Sequence, residues 1–344
     1  NDRYMVWGGI ANPDLKWEKT NQFDIGFNLN LFRNRLNFDI SYYYKLTTDL
    51  LLERPVPHTT GFTSVMDNIG KVANQGLDFM VNTVNIDTKD FGWSSTLNFN
   101  YNKNEIKKLG ENDEDILTGP WFISGNLVIL RKGESLGSFW GYKREGIWGE
   151  DEAEEAKAAG AGVGQPKRSK DREILGKGLP DVTGSFINNF RYKNFDLTVD
   201  LQFVLGVDVY QQFLHSTEDR FGIANALSSV LSEGWTPANT NTMIPALYSQ
   251  NSQPDSHWVA NGSYLRANLI QLGYTFEPSV LKALHLGSLR AYFSVNNAFC
   301  ITSKDFKGYD PEGTSWNTDQ WGQNIMFFQY PKPRTYTLGV NVSF

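Results

Sequence analysis

Cysteine is almost absent: Cys300 is the only one in 344 residues. A lone thiol excludes a disulfide framework and any cysteine-based zinc spacing. No base accompanies it in sequence, so a nucleophilic role is not expected. Histidine is scarce too. His58, His215, His257 and His285 are scattered, with no metal-binding spacing among them, and neither metal nor cofactor is expected. Apolar runs are short, and none approaches the roughly 18 residues that a spanning helix needs. A phosphate cradle is missing as well: Gly125, Gly133, Gly137, Gly141, Gly146 and Gly149 precede no helix start carrying a lysine. Those glycines fit bends and close strand approaches instead. The net charge of −6 argues against nucleic acid as a partner. No charged segment followed by an apolar one opens the chain at Asn1-Asp2-Arg3, so an exported protein is expected here as a mature chain or a fragment.

Aromatic residues, by contrast, reach 14%, while mean hydropathy stays negative at −0.41. A membrane barrel gives this combination, because half of every strand faces water. The last nine residues show the pattern. Tyr336, Leu338, Val340, Val342 and Phe344 fall on one face, and Thr337, Gly339, Asn341 and Ser343 on the other. Phe23 to Leu31 and Leu36 to Tyr44 alternate in the same way around the turn at Arg33-Asn34-Arg35. Further strands are expected at about 70–85 and 91–101, 121–131 and 137–148, 182–192 and 195–209, 263–276 and 287–300, and 334–344. The register blurs near Met80, which points to a bulge there. Short turns near 33–35, 86–90, 132–136, 193–194 and 277–286 alternate with long loops near 53–69, 102–120, 149–181, 210–262 and 301–333. Outer-membrane barrels place short turns in the periplasm and long loops outside. The expected fold is therefore all-β, a transmembrane antiparallel barrel with about eleven strands in this chain. Eleven is odd, and two open edges in lipid are prohibitively costly, so residues 1–344 are expected to be the C-terminal part of a larger barrel.

Two segments have helical character. Pro278 to Leu284 suits one or two turns. Glu150 to Ala159, acidic first and with lysine later, reads as a solvated surface helix ended by Gly160 to Gly164. The polar strand face carries Asp24, Asp39, Asp196, Asp200 and Arg191, which would line a wet lumen. Tyr42, Tyr43, Tyr44, Trp140 and Tyr142 fit an interfacial belt. Trp235, Tyr248, Trp258, Trp316 and Trp321 lie in the outside loops among amides. Such rings suit sugar faces, and they equally suit packing of the loops against one another.

Specific phrases carry a resemblance. They are Asn12-Pro13-Asp14-Leu15-Lys16-Trp17-Glu18-Lys19-Thr20, Tyr42 to Leu51, Asn68-Ile69-Gly70-Lys71-Val72-Ala73-Asn74-Gln75-Gly76, Trp235-Thr236-Pro237-Ala238-Asn239, Ser263-Tyr264-Leu265-Arg266, Leu272-Gly273-Tyr274, Gly308-Tyr309-Asp310-Pro311-Glu312 and Tyr330-Pro331-Lys332-Pro333-Arg334. In order and spacing they resemble the C-terminal barrel half of the SusC/RagA family of TonB-dependent outer-membrane transporters. The resemblance implies a barrel of 22 strands in the outer membrane, an N-terminal plug, energy from the TonB complex and a SusD-like surface lipoprotein as lid. The plug and the N-terminal strands lie outside this chain. Many relatives carry an acidic, glycine-rich calcium-type loop near 149–180, whereas this chain has Arg168-Ser169-Lys170-Asp171-Arg172, so no calcium is expected there. The resemblance implies import of a large nutrient, an oligosaccharide or else a peptide, and no enzymatic activity. A scaffold role in an outer-membrane complex is the alternative from another class, and a passive porin stands below both. The terminal pattern Tyr336, Leu338, Val340, Val342 and Phe344 resembles the signal read by the barrel-assembly machinery.

Overall fold

A computed structural model describes residues 10–62, 64–119, 126–219, 224–247, 249, 253–312 and 321–344. The first four strands are β1 (Lys19–Leu31), β2 (Leu36–Pro55), β3 (Ser64–Asp87) and β4 (Phe91–Leu109). A first excursion follows, with β5 (Ile116–Thr118), β6 (Val128–Leu130), β7 (Ser138–Ile147), helix α1 (Ala153–Ala158) and β8 (Pro166–Lys177). The chain then returns through β9 (Val182–Tyr192) and β10 (Phe195–Leu205). A second excursion holds β11 (Asp208–Gln211), α2 (Gln212–Thr217), α3 (Ser229–Ser232) and β12 (Val259–Asn261). Next come β13 (Tyr264–Thr275), α4 (Pro278–Leu284) and β14 (Ser288–Asn296). A third excursion holds β15 (Cys300–Thr302) and β16 (Ile325–Met326), before the last strand, β17 (Thr335–Ser343).

The wall is one antiparallel sheet in the order β1-β2-β3-β4-β9-β10-β13-β14-β17, with β15 pairing the outer end of β13. Among the described residues β1 and β17 are each bonded on one side only. Strand register keeps each kind of residue on its own face. Phe27 stands opposite Ile40, Ile40 opposite Phe79, and Phe79 opposite Phe99. Leu197 stands opposite Phe190 and Leu272. This apolar face lies open: Phe27 is 70% exposed and Leu338 79%. A sheet presenting such a continuous band needs an apolar medium against it. The other face is a ladder of side-chain hydrogen bonds. Asn98 donates to Ser185 (3.0 Å), Asn104 to Asn74 (2.8 Å), Thr96 to Asn82 (2.7 Å) and Tyr43 to Asn102 (2.9 Å).

Two glycines are required by what crosses them. Gly273 of β13 lies between Asp196 of β10 and Tyr292 of β14. The ion pair between Arg290 and Asp196 (2.5 Å) runs over it, and a Cβ would sit 2.3 Å from the Arg290 guanidinium. Gly339 lies under the ring of Tyr292, where a Cβ would come within 2.3 Å. A glycine under a cross-strand aromatic pins register in the manner of aromatic rescue.

The structure corrects four sequence expectations. Of the pair at about 121–131 and 137–148, residues 121–125 lie outside the described residues, and the rest is not in the wall: β4 pairs directly with β9, and β5-β6-β7-β8 form a separate four-stranded sheet. The reason is length and patterning. β6 has three residues, far below the roughly 9–11 of a spanning strand, and β7 buries Phe139 and Ile147 rather than presenting an open apolar face. Trp140 and Tyr142 therefore belong to no membrane belt and lie under the guanidinium groups of Arg131 and Arg172. Of the tyrosines in β2, Tyr43 turns to the polar face. Finally, no register shift occurs at Met80, which pairs Asp39 and Asn98 on the polar face. The bulge lies between Val84 and Ile86, where Arg35 hydrogen-bonds the carbonyls of Val84 and Asn85 (both 3.1 Å).

With nine strands in the path, short turns at one end still alternate with long connections at the other. Strands β2, β3 and β4 run on to 20, 24 and 19 residues, so the 53–69 and 102–120 loops are partly strand. Their outer ends are held by a cluster of Leu50, Leu52, Val72, Ile106, Leu109 and Leu130. Helix α4 falls where the sequence placed it, and its seven residues make it the longest helix among those described. α1 is solvated except at Ala156, which is fully buried.

Face assignment gives a direct test. Leu197→Arg on the apolar face should cost about 2–4 kcal/mol near the bilayer midplane, whereas Thr198→Arg on the polar face should leave folding nearly unchanged. Folding yields of the two variants in liposomes measure the difference. Equal yields would put lipid on the wrong side.

Candidate functional site

The largest buried hydrophobic cluster among the described residues lies in the excursions. Leu127, Val128, Phe139, Tyr210, Leu214, Trp258 and Ile325 form one fully buried cluster drawn from all three excursions. β11 sits between β12 and β16, and it pairs β16 in parallel, Tyr210 opposite Ile325. The three excursions thus form one folded mass at the long-loop end of the wall.

A buried ion network runs through that mass. The side chains of Arg144, Asp219 and Asp255 are at most 1% exposed. Arg144 Nη2 donates to Asp219 (2.7 Å) and to Asp255 (2.6 Å), and its Nη1 donates to the Met243 carbonyl (2.9 Å). Arg168 Nε donates to Asp255 from β8 (3.1 Å). Asp255 also accepts from the backbone N–H of His257 and so caps the 256–258 turn. Nearby, buried Glu218 accepts from His257 Nε2 (3.1 Å) and from Lys307 Nζ (3.0 Å). Arg144 and Arg168 come from the first excursion, the carboxylates from the second and Lys307 from the third. Burial alone would push the Arg144 guanidinium down, but Asp219 and Asp255 outweigh it and raise it. Burial alone would push the Glu218 carboxyl up, but His257 and Lys307 outweigh it and hold it at about 2. Such a network adds little net stability over apolar packing, yet losing one partner strands a buried charge.

The five loop aromatics are not gathered into one face. Trp258 is fully buried, its ring 5.9 Å from Tyr210 and 4.9 Å from His215, with the Arg144 guanidinium 5.6 Å from its centre. Trp235 is buried beside Ile147 and Ala246. Trp321 packs, partly buried, against two clusters. Tyr248 and Trp316 lie outside the described residues. The three that are described pack loops together.

The phrases singled out in the sequence meet as clasps. Asn68 donates to the carbonyls of Lys16 (2.8 Å) and Asp49 (2.7 Å), and its Oδ1 accepts from the N–H of Lys16 (2.7 Å). Glu18 accepts from the N–H of Leu51 (3.0 Å). At the opposite side of the sheet, buried Arg266 pairs Asp310 (2.6 Å) and donates to Asn297 (2.7 Å). Lys332 pairs Glu312 (2.6 Å), and Asn297 donates to the carbonyls of Lys332 (3.2 Å) and Pro333 (3.4 Å).

A family profile described as TonB dependent receptor-like, beta-barrel, matches residues 1–298. The chain belongs to the TonB-dependent receptor β-barrel family. It is 35% identical to TonB-dependent receptor P3 of Formosa agariphila, over 99% of this chain and 35% of that protein. It is 31% identical to TonB-dependent receptor SusC of Bacteroides thetaiotaomicron, over 97% of this chain and 32% of that protein. A solved structure of the RagAB peptide transporter superposes with a TM-score of 0.78 at 27% identity, over 97% of this chain and 36% of that one. The chain spans about a third of the length of the curated relatives it matches. Family membership makes this an outer-membrane β-barrel of SusC/RagA type. The apolar face of the sheet is then its lipid face, the polar face lines the lumen, and the excursions are the extracellular loops.

In this TonB-dependent receptor barrel, the ion network went unseen in the sequence. Asp255 before Ser256-His257-Trp258 does have the composition of a helical cap. Nothing local marks Arg144, whose carboxylate partners lie 75 and 111 residues away. Among the described residues no group of three or more His, Cys, Asp or Glu could hold a metal, and Arg168 to Arg172 lie within β8.

Breaking the network should loosen the loops and spare the wall. Arg144→Met removes the cation that Asp219 and Asp255 share, at about 3–5 kcal/mol. Amide exchange should rise throughout residues 126–177 and 208–261 and stay unchanged in β13 and β14. Acid should do the same. A carboxyl ordinarily near 4.5 but held at about 2 when folded stabilises fully above about 4.5 and loses that contribution as the pH falls through 2. Loop protection, corrected for intrinsic exchange, should therefore hold from neutrality down to about pH 4.5 and decline below it. Loss of protection well above that range would show that another group controls the loops.

Proposed function

We propose that this chain forms the wall and outer mouth of a TonB-dependent importer of a large nutrient, with a SusD-like lipoprotein over the loop mass. The observation that carries the reading is a fully buried core drawn from all three excursions and set at the long-loop end of the membrane wall. A passive pore needs no such core, whereas a mouth that recognises and closes does. The open edges of β1 and β17 require further strands in lipid, so the chain is read as the C-terminal part of a larger barrel that also holds a plug. Oligosaccharide is the proposed substrate. Peptide is the second reading, favoured by the match to the RagAB peptide transporter across 97% of the chain. Of the loop aromatics, Trp321 keeps a partly open position, while the buried Trp235 and Trp258 support a ligand face only indirectly, by shaping the loops.

Uptake of labelled nutrient by intact cells tests the reading. It should stop when the inner-membrane proton gradient is dissipated, and a surface lipoprotein should co-purify with the barrel in mild detergent. Uptake that survives loss of the gradient would leave a porin. Normal growth on the nutrient without the barrel would leave a scaffold.

The terminal strand is proposed as the insertion signal. Tyr336, Leu338, Val340 and Val342 share the lipid face, and Phe344 ends the chain 97% exposed. Phe344→Ala should lower the amount of heat-modifiable barrel in outer-membrane fractions several-fold. An unchanged amount would move the signal elsewhere.

A further inference from the structure

A recess of about 640 Å³ opens where the first and second excursions meet. Its volume is within the range of sites that hold a small ligand or one residue of a larger one. Tyr142 of β7, Trp148 just beyond it, Arg168 and Lys170 of β8, and Ser249 and Gln253 of the second excursion line it. Among the described residues that line it, two are cations and none is a carboxylate.

The polar groups of this wall are incompletely used by the protein. Arg168 spends its Nε on Asp255, while its Nη2 is buried with no hydrogen-bond partner. Ser249 is 1% exposed, and its hydroxyl also lacks a partner. Lys170 is exposed at the rim, and no carboxylate lies within ion-pair distance of it among the described residues. Buried polar atoms are nearly always satisfied, and two unsatisfied ones facing the same open recess fit a bound polar group there. Arg172 donates to Gln253 (2.8 Å) and lies over the Tyr142 ring (5.1 Å), so the wall stays ordered around these groups. Lys167 caps Trp148 in the same way (4.5 Å).

We propose that this recess binds a carboxylate carried by the imported ligand, an inference that rests on the importer reading. The guanidinium of Arg168 and the hydroxyl of Ser249 would hold the carboxylate, with Lys170 at the mouth supplying attraction. Tyr142 and Trp148 would bound the ring or chain that carries it. Because Asp255 joins Arg168 to Arg144, an occupied recess would brace the same network that ties the excursions together. The carboxylate could belong to a uronic acid unit or to an acidic peptide, and the chemistry at Arg168 is the same for both.

The test uses the intact transporter in mild detergent and calorimetric titration with trigalacturonate, triglutamate and maltotriose. At least one anionic probe should bind, with maltotriose silent. Lys170→Gln removes an unpaired rim charge without touching the fold, and it should weaken anion binding about tenfold, the loss of one charge-assisted contact. Ser249→Ala should weaken it several-fold. Arg168→Gln should weaken it further and also raise loop amide exchange. Trigalacturonate alone binding assigns the carboxylate to a sugar acid, and triglutamate alone assigns it to a peptide. Three results overturn the proposal: equal binding of maltotriose, anion binding indifferent to Lys170→Gln, or no binding by either anion. Gradient-dependent uptake that persists alongside any of these keeps the importer reading and removes only this site.

Discussion

Hydrocarbon offers no hydrogen bonds, and that one constraint organises this protein. Each backbone N–H and C=O within the bilayer must meet a neighbouring strand. The wall answers with nine long antiparallel partners in unbroken succession. A wall of this kind has no interior of its own. One face meets lipid and the other meets a wet lumen, so the usual burial of side chains between layers does not occur there. Buried hydrophobic clusters form instead in the excursions and at the outer ends of β2, β3 and β4, where water returns and burial is again favourable.

Loops that carry a core need a way to hold their register without a continuous sheet. Here the three excursions are joined by charge. Arg144 reaches two carboxylates of the second excursion, and Glu218 of the second takes Lys307 from the third. In a dry environment such pairs are all-or-none, because an unpaired member is far more costly than an absent one. The loop mass therefore behaves as one body. Clasps of a second kind tie that body to the wall. Asn68 reaches Lys16, 52 residues away, Arg266 reaches Asn297 and Asp310, 31 and 44 residues away, and both belong to the phrases by which the family is recognised.

This division of labour suits a transporter. The wall is a rigid frame set by lipid, and the outer mouth is a separately cohesive unit that can vary its surface. The recess beside Arg168 lies on the seam between two excursions, where a bound group acts on both. Ligand recognition and loop cohesion then share one guanidinium.

Period-two alternation by itself determined which face of a wall strand is apolar. It set the faces of β1, β2, β10 and β17, because the face of a strand depends only on a residue's own neighbours in sequence. Tertiary structure alone decided which strands are neighbours. The residues of β7 alternate well enough to read as a wall strand, yet β9 takes that place beside β4, since β9 offers a longer matched ladder. It also decided the fate of the tryptophans. A tryptophan in a polar loop reads as exposed until a partner such as Tyr210, some 50 residues away from Trp258, arrives to cover it. The network around Arg144 is the clearest case. Charges separated by 75 and 111 residues become neighbours only after the excursions have folded together, and no local pattern encodes that meeting.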